Sequence, residues 1–152
     1  MLINQDLEFE LSKQNNTQLL NIVMHGFDSS MQSRSVSSLC KKLQDLSQNT
    51  LRFSFLGHGN SKGELSKNNI SSQIQNLHQV ILYAQSQGYT DFNLVGSSFS
   101  AQVALNYAQQ HPELIQKVAL KCPLINGYDL FKETLSPQAI ADWQDSNQHL
   151  HP

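Results

Sequence analysis

The stretch Asn93–Gln102, NLVGSSFSAQ, decides the fold and raises a chemical question. It begins as an apolar strand, passes through a cluster of very small residues and continues into a helical pattern. Residues 96–100 read G-x-S-x-S, one residue away from the pattern G-x-S-x-G, in which a serine occupies a strained strand-to-helix turn. In such a turn the residues two before and two after the serine touch, so both must be small. The stretch therefore predicts a strand, a tight turn at Ser98 and a helix.

Ser98 has two interpretations at this point. As a nucleophile it would gain from the positive end of the following helix and from the free backbone N–H of Phe99, which points toward a developing oxyanion. As a structural residue it would belong to a turn whose serines only cap the helix. Gly96 meets the requirement for a small residue fully, whereas Ser100 adds a β-carbon and a hydroxyl. The pentapeptide alone leaves both interpretations open.

Strand and helix patterns alternate on both sides of this stretch. Strands are predicted over 7–11, 19–24, 51–56, 92–95 and 117–122, and helices over 31–48, 69–87 and 101–110. Apolar residues at helical spacing predict the core faces of the first two helices: Val36, Leu39, Leu43 and Leu46, then Ile70, Ile74, Leu77, Ile81 and Ala84. Short loops between alternating elements indicate an α/β fold, a mostly parallel sheet with helices on both faces. The turn signal Asn15-Asn16 adds an N-terminal β-hairpin between the first two strands.

Glycine-rich or small-residue features follow three of the predicted strands, at 25–26, 57–63 and 96–100. The carboxyl ends of parallel strands form one rim, where ligands bind in such sheets. The apolar strand that ends in His25-Gly26-Phe27 brings a second backbone N–H, that of Phe27, to this rim. His25 itself is expected to be buried and hydrogen-bonded, because the donor required there is backbone rather than imidazole. Phe27, Phe99 and Tyr128 also suggest an apolar rim around the site.

Four motifs in order, HGFDSS (25–30), GHGNSKG (57–63), NLVGSSFSA (93–101) and VALKCP (118–123), resemble the α/β-hydrolase superfamily, specifically its esterase and serine-aminopeptidase-like members. The match covers about 7–143, and the order and spacing are more specific than any single motif. The resemblance implies that Ser98 is the nucleophile and that the amides of Phe27 and Phe99 form the oxyanion hole. His25, Gly26, Gly96 and Ser100 would support these motifs.

The sequence departs from the family's pattern at two positions, and at a third it has a histidine that the resemblance makes structural. His58, in the GHG loop, matches a position that is structural in the family and is not the catalytic histidine. Ser54 stands where many relatives carry an aspartate, so this loop is expected to be held differently here. Ser100 replaces the second glycine of the serine motif.

The family order places an acid and then a histidine on loops after later strands. By the resemblance, this chain is truncated after the sixth strand and before those loops, so residues 1–125 are expected to form an incomplete core and 126–152 the start of a cap helix plus a polar tail. The remaining candidates are His149 and His151 for a base and Asp129, Asp142 and Asp145 for an acid. All five are expected to be solvated residues of the tail or helix. Without further strands, residues 118–122 would also form an exposed sheet edge prone to self-association.

Two functions from different classes remain. The first is a serine hydrolase that acts on ester, thioester or amide bonds of a small molecule through an acyl-enzyme on Ser98. The alternative is a truncated, catalytically deficient hydrolase fold that acts only as a binding or assembly partner. A nucleotide-binding sheet is disfavoured, because no predicted strand is followed by G-x-G-x-x-G or G-x-x-x-x-G-K-[ST].

Composition narrows the remaining possibilities. The chain has 152 residues, a net charge of −2 and scattered lysines, which argues against a nucleic-acid partner. It has no apolar run near the roughly 20 residues needed to span a bilayer and no signal-peptide pattern, so we expect a cytoplasmic protein without membrane contact. Cys40 and Cys122 are far apart and are expected to be buried thiols. No metal-ligand cluster or cofactor motif appears, so none is implied.

Overall fold

The computed structural model describes residues 2–4, 6–124, 126 and 136–138. Its strands are β1 (Leu2–Ile3), β2 (Leu7–Ser12), β3 (Leu19–Met24), β4 (Thr50–Phe53), β5 (Asp91–Ser97) and β6 (Ile115–Lys121). Its α-helices are α1 (Arg34–Asp45), α2 (Ile70–Ser86) and α3 (Ser100–Gln110), with a short 3₁₀ turn at Leu65–Lys67. Strand and helix alternate as predicted.

The strands form one six-stranded sheet in the order β1-β2-β4-β3-β5-β6. β3 pairs in parallel with β4 and β5, and β5 pairs in parallel with β6. β2 is antiparallel to both of its neighbours, β1 and β4. The prediction of a mostly parallel sheet is confirmed, and the carboxyl ends of β3, β4 and β5 share one rim.

An N-terminal strand pair is present, but it joins β1 to β2. The pairing expected between residues 7–11 and 19–24 is wrong, because β4 lies between those strands. Asn49, a buried residue just before β4, holds the turn after β2: its Oδ1 accepts hydrogen bonds from the backbone N–H groups of Gln14 at 2.8 Å and Asn15 at 3.1 Å. The turn after β2 is therefore fixed to the start of β4, and β2 continues along that strand.

Helices cover both faces of the sheet. The larger apolar cluster lies between the sheet and the face formed by α2 and α3, and it includes Phe53, Leu94 and Tyr107, all fully buried. A smaller cluster, centred on Val23, Val36 and Cys40, lies under α1 on the opposite face. These two layers confirm helices on both faces.

The expected core face of α2 is confirmed, whereas that of α1 needs one correction. Leu46 is 71% exposed, and it lies just after Asp45, the last residue of α1. The expectation of two buried thiols is half wrong as well. Cys40 is buried, but Cys122 follows the last residue of β6 and is exposed.

Within the ranges that the structure describes, no helix is both long enough and apolar enough to cross a bilayer. Residues 118–122 contain the end of β6, which pairs only with β5 among the described residues. Association of chains through that edge stays a prediction. The boundary expected at 125–126, with a cap helix and tail after it, lies almost wholly outside the described residues.

Candidate active site

Ser98 occupies the turn between β5 and α3 in a left-handed backbone conformation, with φ at +54°. Residues other than glycine adopt this region at a cost and do so mostly at special turns. A β-carbon built on Gly96 would lie 2.5 Å from the carbonyl oxygen of Ser100 and 2.8 Å from the Cα of Ala101. Any side chain at position 96 would therefore press on the backbone of α3. The predicted strand-to-helix turn, in which residues 96 and 100 pack against each other, is confirmed.

Ser100 stands where the family motif has glycine, and its additional hydroxyl makes hydrogen bonds. Its fully buried Oγ accepts a hydrogen bond from the N–H of Ser97 at 2.8 Å. It lies within donating distance of two carbonyl oxygens, that of Ser97 at 3.0 Å and that of Met24 at 3.3 Å. Met24 ends β3, so this hydroxyl connects the turn at Ser98 to the neighbouring strand.

The backbone of Ser98 is held from the opposite side by the end of β6. Its N–H donates to the carbonyl oxygen of Lys121 at 2.9 Å, and its carbonyl oxygen accepts from the N–H of Leu124 at 3.2 Å. These bonds fix the serine between β3 and β6. They also occupy the Ser98 amide, so an oxyanion hole here has to use neighbouring amides.

The structure brings the segments of Phe27 and Phe99 together beside Ser98. A β-carbon built on Gly26 would lie 3.2 Å from Ser98 Cβ, so the loop after β3 contacts the turn directly. The rings of Phe27 and Phe99 have centroids 6.0 Å apart, and Phe27 is 55% exposed. Neither backbone amide has a hydrogen-bond acceptor among the described residues. Both predicted oxyanion-hole donors therefore remain available at one rim.

His25 is buried and makes two hydrogen bonds that fix the loop after β3. Its Nδ1 donates to the carbonyl oxygen of Gly26 at 2.7 Å, and its Nε2 accepts from the N–H of Phe55 at 3.1 Å. Because a peptide unit is planar and trans, holding the Gly26 carbonyl on one side directs the Phe27 N–H to the other. Burial, the largest cause, lowers the pKa of His25; the hydrogen bond to Gly26 opposes this effect and the nearby His58 ring adds to it, and the net result is a pKa of about 4. A neutral imidazole that orients a backbone donor agrees with the predicted structural role.

His58 lies beside this loop, with its ring centroid 4.9 Å from that of His25. Its Nδ1 donates to the carbonyl oxygen of Leu56 at 3.1 Å, and its buried Nε2 has no partner among the described residues. It makes no hydrogen bond to Ser98 in the structure. The geometry agrees with a structural histidine in the GHG loop.

Sequence reasoning missed Glu8, a buried carboxylate that holds the 54–63 loop. Its Oε2 accepts from the hydroxyl of Ser54 and from the N–H of Asn60, each at 3.0 Å, and its Oε1 accepts from the amides of Asn60 and Gln32. Burial raises the pKa of Glu8, but the Asn60, Ser54 and Gln32 hydrogen bonds outweigh that effect and lower it below its usual value. A carboxylate from β2 thus meets the serine at position 54. The sequence feature that could have revealed this interaction is the combination of Glu8 on β2 with a serine, Ser54, at a position where many relatives carry aspartate.

No described histidine or carboxylate is hydrogen-bonded to the Ser98 hydroxyl. The rings of His78, on α2, and His111, at the end of α3, stack on one another next to Tyr107. The remaining candidates lie outside the described residues: Tyr128, Asp129, Asp142, Asp145, His149 and His151. Within the described ranges, no group of three or more His, Cys, Asp or Glu side chains is arranged to hold a metal ion.

Comparison with known proteins agrees with this geometry. A family model described as the alpha/beta hydrolase fold matches residues 22–150. A monoacylglycerol lipase of Xenopus laevis, abhd6-B, is 32% identical over 97 residues, which is 62% of this chain and 28% of that protein. Est1E from Butyrivibrio proteoclasticus, solved with ferulic acid bound, superposes with a TM-score of 0.69 at 27% identity over 78% of this chain. A hydrolase structure from Agrobacterium vitis gives a TM-score of 0.79 at 20% identity, over 91% of this chain, which is a likeness of fold.

These relatives are longer than the chain. The chain spans 28% of the Xenopus lipase, 50% of Est1E and 55% of the Agrobacterium hydrolase. The family model nevertheless matches well over half of the chain and includes the turn at Ser98 and the loop at Phe27. On this basis the chain belongs to the α/β-hydrolase fold family.

Proposed function

We propose that this chain is a serine hydrolase that cleaves ester, thioester or amide bonds through an acyl-enzyme on Ser98. The observation that carries the proposal is the left-handed backbone of Ser98, at φ +54°, in a strand-to-helix turn touched by the Gly26-Phe27 loop. Strain of this kind persists where surrounding contacts enforce it, and it concentrates at functional sites. Residues at the carboxyl ends of three strands, β3, β5 and β6, hold Ser98 in this conformation.

The proposed chemistry follows from the groups at the rim. Ser98 Oγ attacks the substrate carbonyl carbon and loses its proton to a base, and the carbonyl oxygen becomes an oxyanion that the amides of Phe27 and Phe99 stabilise. The intermediate collapses, the leaving group departs with a proton, and water then hydrolyses the acyl-serine. No described residue is hydrogen-bonded to the Ser98 hydroxyl as a base would be. Within this chain, the candidates for it are His149 and His151.

We place the substrate among uncharged small-molecule esters with an apolar acyl or aromatic group. Phe27 is 55% exposed beside Phe99, so a substrate at Ser98 would pack against aromatic rings. Two relatives support this choice: one is a monoacylglycerol lipase, and the other, Est1E, is solved with ferulic acid bound.

A second candidate function is a catalytically deficient hydrolase fold that serves as a binding or assembly partner. The observation that favours it is the absence of any described histidine bonded to Ser98, together with β6, whose outer edge has no strand beside it among the described residues. In serine proteases, loss of triad members leaves only about 10³–10⁴-fold catalysis over the uncatalysed rate. Such a chain would retain the turn at Ser98 as architecture alone.

The two candidates differ in the reactivity of one hydroxyl. The purified chain is incubated with a fluorophosphonate, and the adduct is located by intact mass and peptide mapping. Ser98→Ala removes the candidate nucleophile, and Ser97→Ala is the matched control, because Ser97 lies next to it and its hydroxyl makes no hydrogen bond in the described part of the chain. Circular dichroism of each sample establishes that it is folded.

Stoichiometric labelling of the wild-type chain and of Ser97→Ala, but not of Ser98→Ala, supports the hydrolase. Folded wild-type protein without any adduct contradicts it and favours the binding protein. Labelling that persists in Ser98→Ala contradicts the assignment of the nucleophile, because the reagent would then be reacting at another hydroxyl.

A further inference from the structure

Glu8 is a buried charge on β2, outside the segments that form the turn at Ser98. Its neighbours Leu7 and Phe9 belong to the larger apolar cluster, and alternation along the strand places Glu8 on the opposite face of the sheet. Burial raises the pKa of Glu8, but its hydrogen bonds outweigh that effect, so the group is a carboxylate at neutral pH. A buried charge persists only where hydrogen bonds replace the water that it has lost. The groups that donate to Glu8 are therefore firmly held.

The carboxylate is bonded to the far end of the loop after β3, residues 25–33. The side-chain amide of Gln32 donates directly to Glu8 Oε1. The N–H of Met31 donates to Ser54 Oγ at 3.1 Å, and the Ser54 hydroxyl donates in turn to Glu8 Oε2 at 3.0 Å. One direct and one relayed hydrogen bond thus fix this end of the loop to a charge on β2.

The near end of the same loop carries the proposed oxyanion-hole donor. His25 is anchored to the segment after β4, and the amide of Phe27 follows two residues later. A third contact lies between the two ends, because a β-carbon built on Gly59 would be 2.7 Å from Glu8 Oε2 and 3.2 Å from Ser30 Cβ. The Phe27 amide therefore lies in a short loop that is held on both sides.

We propose that Glu8 is a positioning residue for the Phe27 amide, because its carboxylate fixes the far end of the loop and so holds this donor beside Ser98. The proposal rests on the serine hydrolase proposed above. Donors to an oxyanion act through their exact placement, and a displacement of about 1 Å can slow a reaction by about 10²-fold. Without the carboxylate, donors on both loops lose their common acceptor, and the loop has no reason to keep its position.

Four variants test the proposal. Glu8→Gln removes the charge and keeps the size of the side chain. Glu10→Gln is the matched control, because Glu10 lies two residues further along β2 and its exposed carboxylate pairs with Arg52 at 2.8 Å instead of with the loops. Gln32→Ala removes only the direct bond between the loop and the carboxylate, at an exposed position where the fold tolerates change. Glu8→Gln/Ser54→Asp returns a carboxylate from the other side of the 3.0 Å bond, within reach of the same donors.

Two measurements separate the position of the loop from the reactivity of Ser98. Hydrogen exchange with mass spectrometry follows the amides of residues 26–33 without any need for activity, and peptides from α2 and α3 report global unfolding. The second-order rate constant of fluorophosphonate labelling follows Ser98, because the phosphoryl oxygen takes the place of the oxyanion while Ser98 Oγ displaces fluoride. If the wild-type chain is not labelled, the proposed hydrolase fails, and exchange at 26–33 alone decides the role of Glu8.

We expect residues 26–33 of Glu8→Gln to exchange about tenfold faster than in the wild-type chain, and Ser98 to be labelled about 10–100-fold more slowly. Glu10→Gln should keep both rates within about twofold, and Gln32→Ala should be labelled about threefold more slowly, because Met31 keeps its bond to Ser54. The double variant should return to within about threefold of the wild-type labelling rate.

Three results would overturn the proposal. Unchanged exchange at 26–33 in Glu8→Gln means that the carboxylate does not hold the loop. Faster exchange with an unchanged labelling rate means that Glu8 is structural alone. A double variant as slow as Glu8→Gln means that lost stability, and not the missing carboxylate, slows the reaction. If Glu8→Gln does not fold, Gln32→Ala decides, and wild-type exchange and labelling in that variant overturn the proposal.

Discussion

Replacement of Gly96 by alanine tests whether the turn at Ser98 is as tightly packed as the structure indicates. The added β-carbon would lie 2.5 Å from the Ser100 carbonyl oxygen, 2.8 Å from the Ala101 Cα and 2.9 Å from the Ala101 nitrogen. Ordinary contacts of this kind are 3.4–4 Å. All three blocking atoms are backbone atoms of the first turn of α3, so no change of side-chain rotamer can relieve the clash.

Substitutions that overpack a protein interior lower the free energy of unfolding by about 1–3 kcal/mol. Because only a movement of α3 makes room at Gly96, we expect the upper end, a loss of about 3 kcal/mol in the free energy of unfolding. For a domain of this size that corresponds to a fall in Tm of about 6–12 °C. The movement would also displace Ser98, so the rate of fluorophosphonate labelling should fall in the folded variant.

Urea unfolding followed by far-UV circular dichroism measures this loss. Gly88→Ala is the matched control. A β-carbon there has no heavy atom within 4 Å, so alanine is disfavoured only by the positive backbone angle, φ +92°. We expect Gly88→Ala to lose about 1 kcal/mol and to keep the wild-type labelling rate. A Gly96→Ala variant within about 0.5 kcal/mol of wild type, the range of a neutral surface change, would refute the packing argument.

Three further predictions address other parts of the structure. Ser98→Gly should be more stable than Ser98→Ala by about 1 kcal/mol in urea unfolding, because only glycine relieves the left-handed backbone at φ +54°; equal stabilities would contradict the strain. His25 has a usual pKa of 6.5 and a folded pKa of about 4, so on acidification the unfolded chain gains a proton first and stability falls between those values, by up to about 3 kcal/mol. His25→Gln should flatten this part of the pH dependence, and an unchanged slope would contradict the buried neutral imidazole. An aromatic disulfide reagent should modify Cys122 in the folded chain, while Cys40, whose pKa burial raises to about 11, should react only after unfolding; two rapidly reacting thiols would be the opposite result.

The sequence was sufficient for the features that depend on local pattern. Period-two and period-3.6 spacing located the strands and helices, and the small residues around Ser98 predicted the turn because its packing leaves room for nothing larger. His25 was expected to be buried and hydrogen-bonded, and its two bonds to Gly26 and Phe55 agree with that. Each of these expectations rests on a few neighbouring residues and one steric or hydrogen-bonding rule.

Features that depend on distant contacts were not predictable in this way. The turn after β2 is held at the start of β4 by Asn49, a side chain more than 30 residues away along the chain. The exposure of Cys122 depends on whether an element covers the end of β6, which the strand's own residues do not encode. Glu8 lies on the face of β2 that alternation marks as polar, and its burial results from donors supplied by Ser54 and Asn60. In each case the deciding group lies far away in sequence.

The central claim, an acyl-enzyme on Ser98, is tested most directly by trapping that species. The full chain is mixed with p-nitrophenyl butyrate, quenched in acid at short times and digested, and the peptide that carries Ser98 is examined by mass spectrometry beside that from Ser98→Ala. The account predicts a butyryl adduct on Ser98 that forms as nitrophenol is released and disappears as the ester is consumed. Release of nitrophenol at the same rate from the wild-type and Ser98→Ala chains, with no adduct on that peptide, would contradict it.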